Sequence, residues 1–246
     1  MRILHIITGL NQGGAETVLF RLIMSNPDSE HRIISLTSIE FFGNKLLSNN
    51  FQVHALKMHE GIFAAIRGFH ELYVLIKNNK PDVIQTWMYH ADLIGGVIAK
   101  ICGCKKIFWG VLNFNLSISA IGLKTRFIVE ICSLLSSIIP TKIVSCSGAS
   151  VKSHSKIGYN TNKFIVIPLG FDFQELYYDQ IGRNVFREKY DIPLSIILFG
   201  CIARWDPQKD HKNLIRAIEI LEKKSFKVPF LLLLIGPNMT LSLIHI

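Results

Sequence analysis

Four short constellations hold the residues of this chain that could do chemistry. Thr8-Gly9-Leu10-Asn11-Gln12-Gly13-Gly14-Ala15-Glu16 joins an apolar β-branched run to a segment of helical period. Glycines at such a junction let a backbone approach a ligand closely, and a helix start offers unpaired amides to an anion. The spacing Gly-x-x-x-Gly-Gly matches neither the dinucleotide fingerprint nor a Walker loop. A plain tight turn, with Glu16 favourably placed in the first helical turn, accounts for the same residues. Arg204-Trp205-Asp206-Pro207-Gln208-Lys209-Asp210-His211 also lies between strand and helix patterns, with two cations five residues apart around a proline turn. Such a pair can neutralise a diphosphate, including the charge that grows as it leaves. Two solvated charges, with Asp210 capping the helix, are the plainer account.

The other two constellations are aromatic. In Thr86-Trp87-Met88-Tyr89-His90-Ala91-Asp92, Trp87 and Tyr89 suit stacking on a carbohydrate and His90 suits hydrogen bonding, although a histidine here also suits a packed, neutral role. In Trp109-Gly110-Val111-Leu112-Asn113-Phe114-Asn115, Asn113 and Asn115 could hold sugar hydroxyls or serve ordinary turn chemistry. No Ser/His/Asp series at a nucleophile elbow and no metal triad is present.

These constellations sit at the ends of predicted strands. Strands are expected at Arg2–Thr8, His31–Thr37, Phe51–Leu56, Asp82–Thr86, Lys105–Val111, Lys142–Cys146 and Phe164–Ile167. Helices are expected at Glu16–Met24, near Phe42–Ser48, through Ile62, Ile66, Phe69, Leu72 and Ile76, and at Ala91–Ile101, Lys124–Ser137 and Ser147–Ile157. This alternation implies an α/β fold, a parallel sheet covered on both faces by right-handed crossovers. Ligands of such sheets sit beyond the carboxyl ends of the strands. Residues 171–194 read as a linker, with Gly170–Asn184 polar and irregular. The pattern then restarts with strand Ile196–Ala203, helix His211–Lys224 and strand Pro229–Ile235. One such unit leaves its apolar faces open, so the sequence predicts a second domain cut short at its carboxyl end. Leu241–Ile246 is expected to lie outside the fold.

Composition narrows the classes. At roughly 150 residues per domain, 246 residues amount to about 1.6 domains. Apolar residues make up 49% and charged residues 18%, which excludes disorder, collagen and coiled coil. The formal charge is +9, and residues 1–170 hold 17 Lys/Arg against 9 Asp/Glu. A basic first part suits an anionic surface or a phosphorylated substrate, and equally a generically soluble basic face. A nucleic-acid partner is disfavoured, because the basic residues are dispersed and carry no recognised binding motif. The five cysteines are odd in number and mostly apolar in setting, as expected for free thiols in a reducing cytosol. Cys102-Gly-Cys104 is too tight for a zinc knuckle. The start lacks a signal-peptide cleavage pattern, and Phe127–Pro140 is too short and too charged to span a bilayer.

Taken together, the motifs resemble family 4 glycosyltransferases of the GT-B fold. The resemblance rests on His5–Glu16, Val83–Gly95, Ile143–Asp172 and Phe199–Leu214, in family order over about 235 residues. It implies two Rossmann-like domains: residues 1–170 binding the acceptor, and residues 195–246 beginning the domain that binds a nucleotide-diphosphate sugar. It implies transfer with retention and without a metal or other cofactor, onto a cell-envelope or polysaccharide precursor. The expected setting is the cytoplasm, with peripheral contact to the inner face of the membrane. By position, Gly13 and Gly14 match the loop near donor diphosphate and acceptor, and Arg204 and Lys209 match the pair that holds the diphosphate. Trp87, Tyr89 and Asn115 are the acceptor-side candidates. Two departures stand out. Pro168-Leu169-Gly170-Phe171-Asp172 replaces the usual Pro-Asn-Gly-Val-Asp junction. Leu112-Asn113 stands where many members have a catalytic histidine, which leaves Asn113 and His90, at the neighbouring strand end, as the catalytic candidates. The family's later Glu-x7-Glu donor-sugar element is absent from these residues. A sugar-nucleotide epimerase of similar build and a non-catalytic binding protein are the rival readings.

Overall fold

The computed structural model describes residues 1–171, 173, 177–224 and 228–236, and the backbone of 243–245. These form two compact units, Met1–Gly170 and Phe171–Ile246. Asp172 of the expected junction, and Leu241, Ser242 and Ile246 of the tail, lie outside the described residues.

In the first unit the strands are β1 (Arg2–Ile7), β2 (Glu30–Ser35), β3 (Gln52–Ala55), β4 (Val83–Trp87), β5 (Ile107–Val111), β6 (Lys142–Ser145) and β7 (Phe164–Val166). The helices are α1 (Gly14–Met24), α2 (Glu40–Ser48), α3 (Ile62–Asn79), α4 (Tyr89–Ile101), a short α5 (Ile118–Ile121), α6 (Leu123–Leu135) and α7 (Gly148–Ser155). All seven strands pair in parallel in the order β3-β2-β1-β4-β5-β6-β7. The chain therefore winds outward one way from β1 and returns to wind the other way from β4. The reversal lies between β1 and β4, the position at which open sheets of this kind form a ligand crevice at the carboxyl edge.

Strand alternation divides the interior into two cores. Leu4, Ile6 and Ile84 pack with Leu72 and Ile76 of α3, Ile98 of α4 and Val129 of α6. Ile7, Ile33 and Trp87 point to the other face and pack with Leu19 and Ile23 of α1 and Leu46 of α2. Helix α4 lies close to the sheet because Gly95 and Gly96 carry no side chain. A Cβ on Gly96 would come within 2.6 Å of the Trp109 indole nitrogen, and one on Gly95 within 3.0 Å of Ile6.

The second unit contains α8 (Gln180–Lys189), β8 (Ile197–Ile202), α9 (His211–Lys223), β9 (Phe230–Ile235) and β10 (Leu243–His245). Two expectations are corrected here. The stretch read as irregular linker contains α8, whose first amides are capped by the Asp179 carboxylate. The Arg187 guanidinium of α8 then donates to the carbonyls of Pro193 and Ile196 at 2.6 and 3.0 Å, fastening the helix to the entry of β8. Leu243–His245, expected outside the fold, pairs antiparallel with β9. The backbone edge of β9 is the physical reason, since an unpaired edge accepts a further strand. Among the described residues, no helix is long and apolar enough to cross a membrane.

Candidate functional site

The crevice beside β1 is lined first by the Thr8–Gly13 loop. Gly13 is the N-cap of α1 in extended conformation (φ −156°, ψ 174°), so no left-handed geometry demands glycine there. Space does. A Cβ on Gly13 would lie 2.3 Å from a Glu16 carboxylate oxygen, whereas one on Gly14 would meet open space. Glu16 thus folds back over the helix start and supplies negative charge to the amide end. The open approach for a ligand runs past Gly14. Thr8, at the end of β1, holds a buried hydroxyl with no hydrogen-bond partner among the described residues. Thr8 heads the first constellation, but the sequence assigns its side chain no role, because a threonine closing a strand is unremarkable until its surroundings are known.

Across the crevice, β4 ends in a tightly held turn. Met88 has φ 70° and ψ 160°, a region that suits glycine and strains any side-chain-bearing residue. Three bonds hold it. The Met88 amide donates to the Gly110 carbonyl at 3.0 Å, the Asp92 amide donates to the Met88 carbonyl at 2.9 Å, and the Thr86 hydroxyl donates to an Asp92 carboxyl oxygen at 2.5 Å. Asp92 is fully buried and its second oxygen has no partner among the described residues, so burial pushes its pKa well above the usual carboxylate range. The burial favours the neutral acid, while the bonds from Thr86 and Gly110 oppose it.

Trp87 and Tyr89 are corrected as acceptor platforms, because both rings are buried. Strand alternation sends Trp87 into the α1–α2 core, and the Tyr89 hydroxyl sits 3.2 Å from Nε2 of His154. Trp87 instead begins a chain that fixes the state of two histidines. Its indole N–H can only donate, and it meets His5 Nδ1 at 3.3 Å. His5 Nε2 therefore carries the proton and donates to His31 Nδ1 at 3.0 Å; His31 Nε2 in turn donates to the Asn26 carbonyl at 3.0 Å. Burial, reinforced by the His31 ring, lowers the His5 pKa to about 3.

His90 lies half-buried in the first turn of α4, two residues past the strained Met88. Burial lowers its pKa, which favours a neutral imidazole able to accept a proton or a hydrogen bond. Asn113 follows β5, the strand next to β4, and its carbonyl accepts from the Ser150 hydroxyl at 2.8 Å. Asn115 is exposed, and its side-chain oxygen accepts from the Ser117 amide at 3.1 Å, the geometry of a local turn.

In the second unit, β8 leads into the turn bearing Arg204 and Lys209. Arg204 Nε donates to an Asp206 carboxylate oxygen at 3.0 Å, and the other oxygen accepts from the Gln208 amide at 2.9 Å. That amide first, and Arg204 next, hold the half-buried Asp206 carboxyl below its usual pKa. Lys209 ends a short 3-10 turn, exposed and in no ion pair among the described residues. Asp210 is corrected as a capping side chain. It occupies the N-cap of α9 but is left-handed (φ 50°) and makes no side-chain cap bond, while Asp206 caps the preceding turn. The Trp205 ring stacks on buried His211 with centroids 4.9 Å apart, and this holds the turn against α9. Gly236 closes β9 so tightly that a Cβ would lie 1.9 Å from the Ala203 carbonyl oxygen. Both cations therefore stand at the carboxyl end of a parallel strand. Arg204 is partly neutralised and Lys209 is available. Among the described residues, no group of three or more His, Cys, Asp or Glu side chains is arranged to hold a metal ion.

No family model matches the chain, and no curated protein matches it in sequence. Solved structures do. The Anabaena protein Alr3699/HepE, in complex with UDP and glucose, aligns with a TM-score of 0.77 at 16% identity over 95% of this chain and 60% of its own. The lipopolysaccharide outer core galactosyltransferase WaaB, in apo form, aligns at 0.63 with 12% identity over 97% of this chain and 62% of its own. UDP-N-acetylglucosamine 2-epimerase from Rickettsia bellii aligns at 0.51 with 10% identity over 97% of this chain and 63% of its own. The chain thus spans 60% to 63% of the length of these three proteins. At such identities the likeness establishes the fold, which is the α/β GT-B architecture with its Rossmann-like parallel sheet.

Proposed function

We propose that this chain belongs to a glycosyltransferase of family 4 type, moving a sugar with retention from a nucleotide-diphosphate sugar to a cell-envelope or polysaccharide precursor. In this reading Met1–Gly170 handles the acceptor and the unit containing β8, α9 and β9 handles the donor. The observation that carries it is the pair of cations, Arg204 and Lys209, at the carboxyl end of β8 in a fold shared with HepE, a protein solved with UDP and with UDP-glucose. When the glycosidic bond to the diphosphate breaks, negative charge grows on the leaving oxygen. Lys209, in no ion pair among the described residues although its charge also acts on Asp206, offsets that charge directly, and Arg204 does so by exchanging Asp206 for phosphate. Two fixed cations here perform the charge neutralisation that a metal ion supplies elsewhere. In this reading His90, in the first turn after β4, and Asn113, in the loop after the neighbouring β5, orient an acceptor hydroxyl, and the opening at Gly14 lets a ligand approach the backbone.

Titration calorimetry with UDP tests the reading. Lys209→Ala should weaken binding about 10- to 100-fold, the range for losing one charge-assisted hydrogen bond. Unchanged affinity would remove Lys209 from the site. An epimerase is the second reading, favoured by the likeness to the Rickettsia bellii 2-epimerase. Sugar isomerisation without any acceptor would select it, whereas nucleotide release that depends on acceptor selects transfer.

A further inference from the structure

A buried chain of polar side chains ends at the residue before His90 and at the backbone of Asn113. Its centre is His154, in the last turn of α7, with no solvent exposure. His154 Nδ1 lies 2.8 Å from the Ser150 carbonyl oxygen. A carbonyl only accepts, so Nδ1 carries the proton and Nε2 is left as an acceptor. The Tyr89 hydroxyl, 3.2 Å from Nε2, therefore donates to it. The Nδ1–H also lies 3.4 Å from the Ser150 hydroxyl oxygen, whose own proton goes to the Asn113 carbonyl at 2.8 Å. Donation thus runs one way, from Tyr89 through His154 and Ser150 to Asn113. That direction needs the neutral ring. Burial lowers the His154 pKa and favours it, against the opposing bond to Ser150.

Each link is itself fixed. Tyr159 packs edge-on against the His154 ring at 4.9 Å, and Tyr89 and Phe164 flank it at 5.8 and 6.0 Å between centroids. The Cys132 thiol donates to the Tyr89 carbonyl at 3.6 Å. The Cys146 thiol donates to the Leu112 carbonyl at 3.4 Å, one residue before Asn113. Ser150 is fully buried, and its amide donates to the Ser147 hydroxyl that caps α7. Packing alone does not call for these groups, since apolar side chains of the same shape fill such space with no polar atom to satisfy. What the polar chain adds is direction. It ties the first residue of α4 and the backbone of the loop after β5 to a single imidazole.

We propose that His154 is a positioning residue, which through Tyr89 and Ser150 holds His90 and Asn113 in one fixed relation at the ends of β4 and β5. The role rests on the sugar-transfer reading for what His90 and Asn113 do, and on geometry alone for how they are held. His90 follows Tyr89 directly, so a swing of the Tyr89 ring turns the start of α4 and carries the His90 imidazole with it. Asn113 is held by its carbonyl, so its backbone is set before any ligand arrives.

NMR of the full chain, read at the His90 ring and the Asn113 side-chain amide, tests this. Tyr89→Phe removes the first link and should move the His90 signals. It should also quicken exchange of the Asp92 amide, which closes the first turn of α4 on the Met88 carbonyl, roughly fivefold to tenfold, the range for one lost hydrogen bond. Ser150→Ala removes the last link and should move the Asn113 signals. His154→Phe should move both sets. His154→Gln keeps an acceptor for Tyr89 and should return the Asp92 amide toward the parent rate. Ile23→Val, in the opposite core, lowers stability by a comparable amount and should move neither set. Both sets unmoved in His154→Phe would overturn the proposal. Movement of one set alone also overturns it, because the chain is then two separate ties, and so does an equal movement in Ile23→Val. If His154→Phe does not fold, Tyr89→Phe and Ser150→Ala, which each delete one oxygen, decide the matter, and unmoved signals in both overturn it. UDP binding and sugar transfer enter none of these readouts, so failure of that reading and failure of this one are told apart.

Discussion

A second proton on His5 would have to sit on Nδ1, facing the Trp87 indole N–H that Nδ1 now accepts. The buried chain from Trp87 through His5 and His31 to Asn26 therefore excludes the charged form, and acid should act on the first unit through this ring. Its pKa falls from 6.5 in the unfolded chain to about 3 in the fold. Between those values the unfolded state binds more protons than the native one. Stability is accordingly full above pH 6.5 and is lost as pH falls toward 3. Each unit is worth about 1.4 kcal/mol, and the unfolded ring is half protonated at pH 6.5, so lowering pH from 6.5 to 4.5 removes about 2 kcal/mol. That is a large share of a domain's usual 5 to 15 kcal/mol, in round figures. His5→Gln keeps an amide N–H for His31 and does not titrate. The assay is urea unfolding at a series of pH values, followed by Trp87 and Trp109 fluorescence in a Trp205→Phe background, so that only the first unit is read. Other titrating groups are common to both proteins. The difference in stability loss between parent and His5→Gln over this window should therefore be about 2 kcal/mol, with His5→Gln the flatter. Parallel pH slopes would refute the reasoning, as would an NMR titration placing the His5 pKa near 6.5.

Asp92 acts with the opposite sign. Its pKa is raised by burial, so its contribution is full below the unfolded carboxylate value and is lost as pH rises through the folded one; Asp92→Asn should flatten the alkaline side of the same urea series. Gly96→Val should destabilise the first unit by about 1 to 3 kcal/mol in thermal melts, because the new Cβ presses on the Trp109 indole inside the core. Met88→Gly should melt above Met88→Ala by an amount equivalent to about 1 kcal/mol, because both lose the side chain that packs on the core and only glycine relieves the backbone. The reverse order would show that the turn is not strained.

Much of the fold was legible because its signals are local. The spacing of Ile62, Ile66, Phe69, Leu72 and Ile76 predicts the helix found at Ile62–Asn79. The small-residue run Ala91–Ile101 predicts the helix found at Tyr89–Ile101, and only the structure shows it lying close to the sheet at Gly95 and Gly96. Helix α8 was hidden because its sequence is mainly polar and carries Gly182, leaving only the Asp179 cap as a start signal. The site was read less well than the elements. An aromatic at a strand end is equally suited to a sugar or a core, and only the alternation of β4 against its neighbours sends Trp87 inward. Asp210 has the right residue type for a cap, but its left-handed backbone turns the side chain away from the amides.

The sequence by itself determined the alternation of strands and helices, the glycine junction at Gly13-Gly14, the cations at Arg204 and Lys209, and the strand ends on which they lie. Those features depend on contacts a few residues apart. Tertiary structure alone decided the strand order, hence the reversal between β1 and β4 that makes a crevice of two unconnected loops. It decided the pairing of Ile3 with His31 and of Ile7 with Trp87, and so the chain of bonds that keeps His5 neutral. It also linked Tyr89 to Asn113 through His154 and Ser150. Such placements depend on pairing between distant segments, and a slip of one residue would turn every side chain of a strand to the opposite face.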